Sequence, residues 1–117
     1  MKIFLICPVR GIDKEYQEAI ESQVAFLEQQ GNQVYFPSRD TEQDDPTGLN
    51  ICRQNREAIG NADMIYIIWD GKSTGSLFDL GMAFAMNKPI RTVKGYFPPA
   101  TNGKSFQSMV YAWEELQ

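Results

Sequence analysis

The chain alternates short, nearly uninterrupted apolar runs with longer stretches in which apolar residues recur every three or four positions. Residues 2–7 (Lys-Ile-Phe-Leu-Ile-Cys) form the first such run, the pattern of a strand covered on both faces. Across 13–30, Tyr16, Ile20, Val24 and Leu27 repeat at helical spacing and Gly31 follows, which predicts a helix. Val34-Tyr35-Phe36, stopped by Pro37, predicts a short second strand, and 38–48 a polar loop. Asp45-Pro46 has the form of a helix start, with the acid as N-cap and proline in the first helical position. The second helix is therefore expected from about residue 47 to 59, ending at Gly60. Residues 64–69 (Met-Ile-Tyr-Ile-Ile-Trp) are the most hydrophobic run and predict the central strand. Residues 75–86, apolar on nearly every side, predict a well-buried helix. A fourth strand is expected at 89–93 and an irregular loop at Phe97-Pro98-Pro99. A last helix is expected over 105–116, with Phe106, Val110, Trp113 and Leu116 on one stripe.

Strand and helix thus alternate four times with no hairpin signal between them, which predicts a parallel sheet with helices on both faces. The expected fold is a single α/β domain over 1–117, a Rossmann/flavodoxin-like three-layer sandwich. Its sheet would hold about four or five parallel strands in the order 2-1-3-4(-5). In such sheets ligands bind beyond the carboxyl ends of the strands, where the strand order reverses. With strands one and three as neighbours, the loops at 7–12 and 70–76 would frame the site.

Composition narrows the chemistry. A length of 117 residues suits one domain, and a net charge of −4 without a basic run argues against nucleic-acid or membrane-surface binding. The first apolar run is too short for a signal peptide, and no stretch reaches transmembrane length. Two cysteines, Cys7 and Cys52, fit reduced thiols and a cytoplasmic setting. The chain has no histidine, which removes Ser-His and Cys-His nucleophile pairs, histidine bases and most zinc sites. Two cysteines alone do not make a metal site, and no cofactor is implied. Carboxylates, hydroxyls and amides are left to do any catalysis.

Asp79 is the leading candidate among them. It lies one turn inside the helix that follows the run Asp70-Gly71-Lys72-Ser73-Thr74-Gly75-Ser76. Helical side chains tilt toward their own N-terminus, so its carboxylate should lean back over that loop. Gly71-Lys72-Ser73-Thr74 has the look of a P-loop tail, but Tyr66 stands where the pattern needs its first glycine. The loop remains either an ordinary N-cap by Ser73 or Thr74, or an anion site built from those hydroxyls and free backbone amides. Arg10, in Cys7-Pro8-Val9-Arg10-Gly11, is either a phosphate fork or a solvated surface residue. A flavodoxin would carry a Thr/Ser/Gly-rich loop after strand one, and a response-regulator receiver an acidic pair there. Neither is present.

Residues 62–90 are similar to the most diagnostic stretch of the nucleoside 2-deoxyribosyltransferase-like proteins, a family that includes 2′-deoxynucleoside 5′-monophosphate N-glycosidases. The matching segments are Ala62-Asp63-Met64, Ser73-Thr74-Gly75, Phe78-Asp79-Leu80-Gly81 and Ala85-Met86-Asn87-Lys88-Pro89. Val9-Arg10-Gly11 resembles the phosphate-contacting loop of the monophosphate glycosidases. The resemblance implies a nucleoside or nucleotide substrate and a carboxylate that attacks the anomeric carbon, giving a covalent glycosyl-enzyme. It implies that Asp79 is this nucleophile and that Asn55 stands where a second acid assists the leaving base. Cys7, Pro8, Val9, Arg10, Gly11, Asp70, Ser73, Thr74, Gly75 and Ser76 are then expected to contact substrate, Ser73 through the 5′-phosphate. Gln107, with Ser108 beside it, would reach into a neighbouring subunit's site, so a homodimer or larger assembly with shared sites is expected. Two departures stand out. Aspartate is one methylene shorter than the family's glutamate, and Asn55 carries no exchangeable carboxyl proton.

Overall fold

β1 (Lys2–Ile6) forms the centre of the molecule in a computed structural model that describes Met1–Gln117. It pairs in parallel with β2 (Gln33–Tyr35) on one side, Ile3 beside Val34, and with β3 (Met64–Ile67) on the other, Phe4 beside Ile65. β4 (Ile90–Thr92) adds to β3 with Ile65 beside Ile90, giving four parallel strands in the order β2-β1-β3-β4. The pleat sends alternate side chains to opposite faces. Ile3, Leu5 and Val34 meet Ile20, Val24 and Leu27 of α1 (Lys14–Gln29) on one face. Phe4, Ile6, Ile65 and Ile67 meet Ile59 of α3 (Leu49–Asn61), Leu80 and Ala83 of α4 (Thr74–Ala85) and Val110 of α5 (Phe106–Glu115) on the other. The result is the expected three-layer α/β sandwich. No helix is long and apolar enough to cross a membrane.

Three expectations about the ends and extents of elements are corrected. The polar stretch after β2 is not all loop: α2 (Pro37–Asp40) makes one helical turn with proline at its start. Asp45 is not the N-cap of α3. Gly48, at φ 82°, takes that place, and the Asp45 carboxylate reaches in from outside to accept from the Ile51 amide at 2.9 Å. Nor does Gly60 end the helix, because the Lys88 ammonium donates to the carbonyls of Gly60 and Ala62 at 2.8 Å each. With those orphan carbonyls satisfied, a left-handed glycine stop is not needed.

Helices α4 and α5 are less enclosed than their composition suggests. In α4 only Ser76, Asp79, Leu80 and Ala83 are buried, while Phe78 and Phe84 are 55% and 56% exposed. One face of α4 lies against the sheet and α3, and no further layer of the subunit covers the other. In α5 only Val110 is buried; Phe106 and Leu116 of the expected stripe are exposed. α5 lies against the edge strand β4 rather than over the sheet centre, so only one position reaches the core.

Candidate active site

The strand order reverses between β1 and β3, and the loops leaving their carboxyl ends part there as the topology requires. A cavity of about 510 Å³ lies between them. A second cavity of about 620 Å³ opens at the far end of the sheet, near Lys2 and Gln33, where neither loop reaches. The first receives Cys7, Val9, Arg10 and Gly11 from the end of β1 and the loop beyond it. The β3–α4 loop and the start of α4 supply Asp70, Ser73, Thr74, Gly75, Ser76 and Asp79, and α3 supplies Asn55. Three of the expected substrate residues stand apart. Pro8 is fully buried beneath the loop, and Gln107 and Ser108 at the start of α5 do not line the cavity of their own subunit.

Asp70 shapes the second loop. Its Oδ1 accepts from the amides of Lys72 at 2.9 Å and Ser73 at 2.8 Å, a turn in which Gly71 adopts φ 79°. Trp69 secures the far side, donating its indole N–H to the Ser73 carbonyl at 3.0 Å. Ser73 is the N-cap of α4: its Oγ accepts from the Ser76 amide at 3.3 Å and the Ser76 hydroxyl at 3.0 Å. Both bonds are accepted, so the Ser73 hydroxyl proton is free to donate into the cavity. The amides of Thr74 and Gly75 open the helix and have no carbonyl behind them. Arg10 and Lys72 bring positive charge to the same rim. The N-cap and anion-site readings of this loop are therefore compatible: capping engages only part of its donor set.

Asp79 forms the charged part of the wall. It is 6% exposed, and Asn55 donates through Nδ2 to both carboxylate oxygens at 3.4 Å. Burial raises its pKa from the ordinary 3.8 to about 6, while the Asn55 hydrogen bond pulls the other way. The carboxylate is thus mostly ionised at neutral pH yet weakly solvated, a state that suits a nucleophile. Cys7 offers no rival: burial first, and the Asp79 charge second, push its thiol up to about 12.

The cavity also contains residues that the sequence did not single out. Ile51 and Cys52 of α3 line it beside Asn55, the helical spacing from Ile51 to Asn55 being the signal for that shared face. Lys72 and Phe78, direct neighbours of expected site residues, line it too, as do Pro37 and Gln43 from the segment after β2. Behind the wall, Thr41 donates to Asn55 at 2.7 Å, a contact no local pattern announces because the partners lie fourteen positions apart.

The fold has counterparts among known proteins. No curated protein matches the chain in sequence. A 2-deoxyribosyltransferase from Bacillus psychrosaccharolyticus superposes with a TM-score of 0.73 at 20% identity, over 99% of this chain and 90% of that one. A CMP N-glycosidase from Clostridium botulinum gives 0.59 at 24% identity, covering 79% and 67%. A 2-deoxyribosyltransferase from Leishmania mexicana gives 0.61 at 20% identity, covering 91% and 79%. Identities this low speak for the fold alone. The family model does more, since the description nucleoside 2-deoxyribosyltransferase matches residues 3–109, from β1 into α5 and across every loop of the cavity. A chain matched so nearly end to end belongs to the nucleoside 2-deoxyribosyltransferase family.

Proposed function

We infer that the protein cleaves the N-glycosidic bond of a nucleoside 5′-monophosphate, with Asp79 as nucleophile. The carboxylate attacks the anomeric carbon as the bond to the base breaks, and the electron pair leaves with the base. The resulting glycosyl ester on Asp79 is opened by water, whose hydroxyl goes to the anomeric carbon and whose proton goes to the departed base, returning the free carboxylate and a sugar phosphate. Asn55 keeps the carboxylate oriented and stands where it could bond to the sugar or base, but it supplies no proton to the departing base. Ser73, Arg10 and the amides of Thr74 and Gly75 form the phosphate end of the site. That donor-rich end favours a phosphorylated substrate, and hydrolysis over transfer between free nucleosides.

The observation that carries this reading is Asp79 itself: a buried, ionisable carboxylate on the wall of a cavity whose other end is rich in anion donors. Exposed Phe78 and Phe84 on α4, and Gln107 lying outside its own cavity, support a homodimer in which Gln107, with Ser108 beside it, completes the partner's site.

A panel of nucleoside and deoxynucleoside 5′-monophosphates, with free base followed by chromatography, tests the chemistry. Base release that falls by about 10³-fold or more in Asp79→Asn is the expected outcome. A second reading, a nucleotide-binding or sensing protein of the same fold, draws on Asp79 being the shorter acid and Asn55 being an amide. Nucleotides that raise the melting temperature without any release of base at high protein concentration would establish it instead.

A further inference from the structure

We propose that Thr41 is a positioning residue that holds the Asn55 amide with its NH2 group facing Asp79, and so governs the ionisation of that carboxylate. The proposal rests on the reading of Asp79 as the functional acid. Thr41 follows α2 and is 4% exposed, although its neighbours are mostly polar and solvated. Its Oγ1 donates to Asn55 Oδ1 at 2.7 Å. The Tyr35 hydroxyl lies 2.6 Å from the same oxygen, closer than the 3.3 Å to its other partner, the Asp40 carbonyl. A threonine hydroxyl has one proton, and the bond to Asn55 uses it, so Tyr35 must be the donor in that contact. The Tyr35 ring is in turn stacked on the core residue Phe4 at 5.5 Å. The direction of the chain is thereby set: Tyr35 donates to Thr41, Thr41 to Asn55, and Asn55 to Asp79.

The two ends of an asparagine amide are nearly identical in shape and opposite in hydrogen-bonding character. Asn55 therefore needs a partner that accepts only one orientation. Thr41 is that partner, because its donated proton requires an oxygen. Without it, a turned amide would present Oδ1 to the Asp79 carboxylate, acceptor against acceptor, and the protonated acid would be favoured. No other group facing Asp79 replaces the lost donor. Just beyond β1 comes the Cys7 thiol, neutral at working pH, and from α3 Cys52 beside Asn55. The β3–α4 loop contributes Asp70, engaged with backbone amides, and Lys72; the β1–α1 loop contributes Arg10, exposed at the rim.

The test is a carbon-13 NMR titration of the Asp79 carboxyl in the intact protein, in wild type, Thr41→Val and Thr41→Ser. Thr41→Val should raise the midpoint by about one pH unit, and Thr41→Ser, which keeps the hydroxyl, should leave it unchanged. If base is released, the rising limb of kcat against pH should move by the same amount in Thr41→Val with KM little altered. A folded Thr41→Val that titrates like wild type overturns the proposal, as does a Thr41→Ser that shifts with it. If Thr41→Val does not fold, Tyr35→Phe replaces it: a smaller upward shift supports the chain of donors, and none overturns it. The titration needs no substrate. A protein that releases no base defeats the glycosidase reading and leaves this one standing, whereas an unmoved midpoint in an active enzyme does the reverse.

Discussion

As the proposed nucleophile, Asp79 would set function against the stability of the fold around it. Its carboxyl binds a proton more tightly in the folded protein, at about 6, than at the ordinary 3.8 it would have in the unfolded chain. The folded state is therefore favoured while Asp79 is protonated, in full below pH 4, and that advantage is lost as pH rises through 6. The difference corresponds to about 3 kcal/mol at neutral pH. Asp79→Asn keeps the shape and removes the charge. We expect it to exceed wild type in stability by about 2–3 kcal/mol at pH 7.5 and to lose that lead below pH 4. Urea denaturation of both proteins across this range measures it; parallel curves at every pH would mean that Asp79 ionises like an exposed acid. The same variant should lack activity, which would make Asp79 a site where function is kept at a cost in stability. Activity in the wild type should conversely rise as pH passes 6, when the nucleophile loses its proton.

Side chains from neighbouring elements finish what the backbone of this fold leaves open. Both edges of the sheet are covered in this way. Arg39 donates to the Val34 carbonyl at 2.6 Å on the β2 side, and Glu114 of α5 accepts from the Thr92 amide at 2.8 Å on the β4 side. Gln117 pairs with the amide and carbonyl of Ile90. Lys88 does the same for the end of α3, and its replacement by methionine keeps the aliphatic stem while exposing two carbonyls. A loss of about 1–2 kcal/mol is expected, read as a lower urea midpoint, against no change for Lys104→Met on the exposed loop before α5. These contacts explain which parts of the fold were legible in sequence. Strand and helix identity follows from periodicity, which burial of one face enforces locally; Asp13 also caps α1 through the Tyr16 amide. The ends of α3 were not legible, because Gly48 and Lys88 override the local signals of Asp45-Pro46 and Gly60. Asp79 and the loop ahead of it were legible because strand, loop and helix N-terminus are contiguous in the chain. Thr41 and Gln43 were not, since what makes them matter is a fold that brings the segment after β2 to α3.

At the scale of the whole molecule, the exposed large apolar residues are unevenly distributed. Aromatic surface is left uncovered on α4 at Phe78 and Phe84 and at the start of α5 at Phe106, whereas the α1 side shows fewer large apolar residues to solvent. Gln107 sits next to that surface and outside its own cavity. A two-fold dimer through this face would cover the aromatics and carry Gln107 toward the partner's site, and its symmetry makes the arrangement testable. In such a dimer Asp79→Asn would disable its own site and Gln107→Ala its partner's. In a mixed dimer one site lacks both groups and the other lacks neither. Random reassembly of equal amounts should therefore restore about a quarter of wild-type base release from two weakly active parents. Phe84→Glu should suppress that recovery by opposing assembly, with a matching fall in mass by light scattering at micromolar concentration. If each subunit instead held a complete site of its own, mixing would give only the average of the two parents, and Phe84→Glu would change neither quantity.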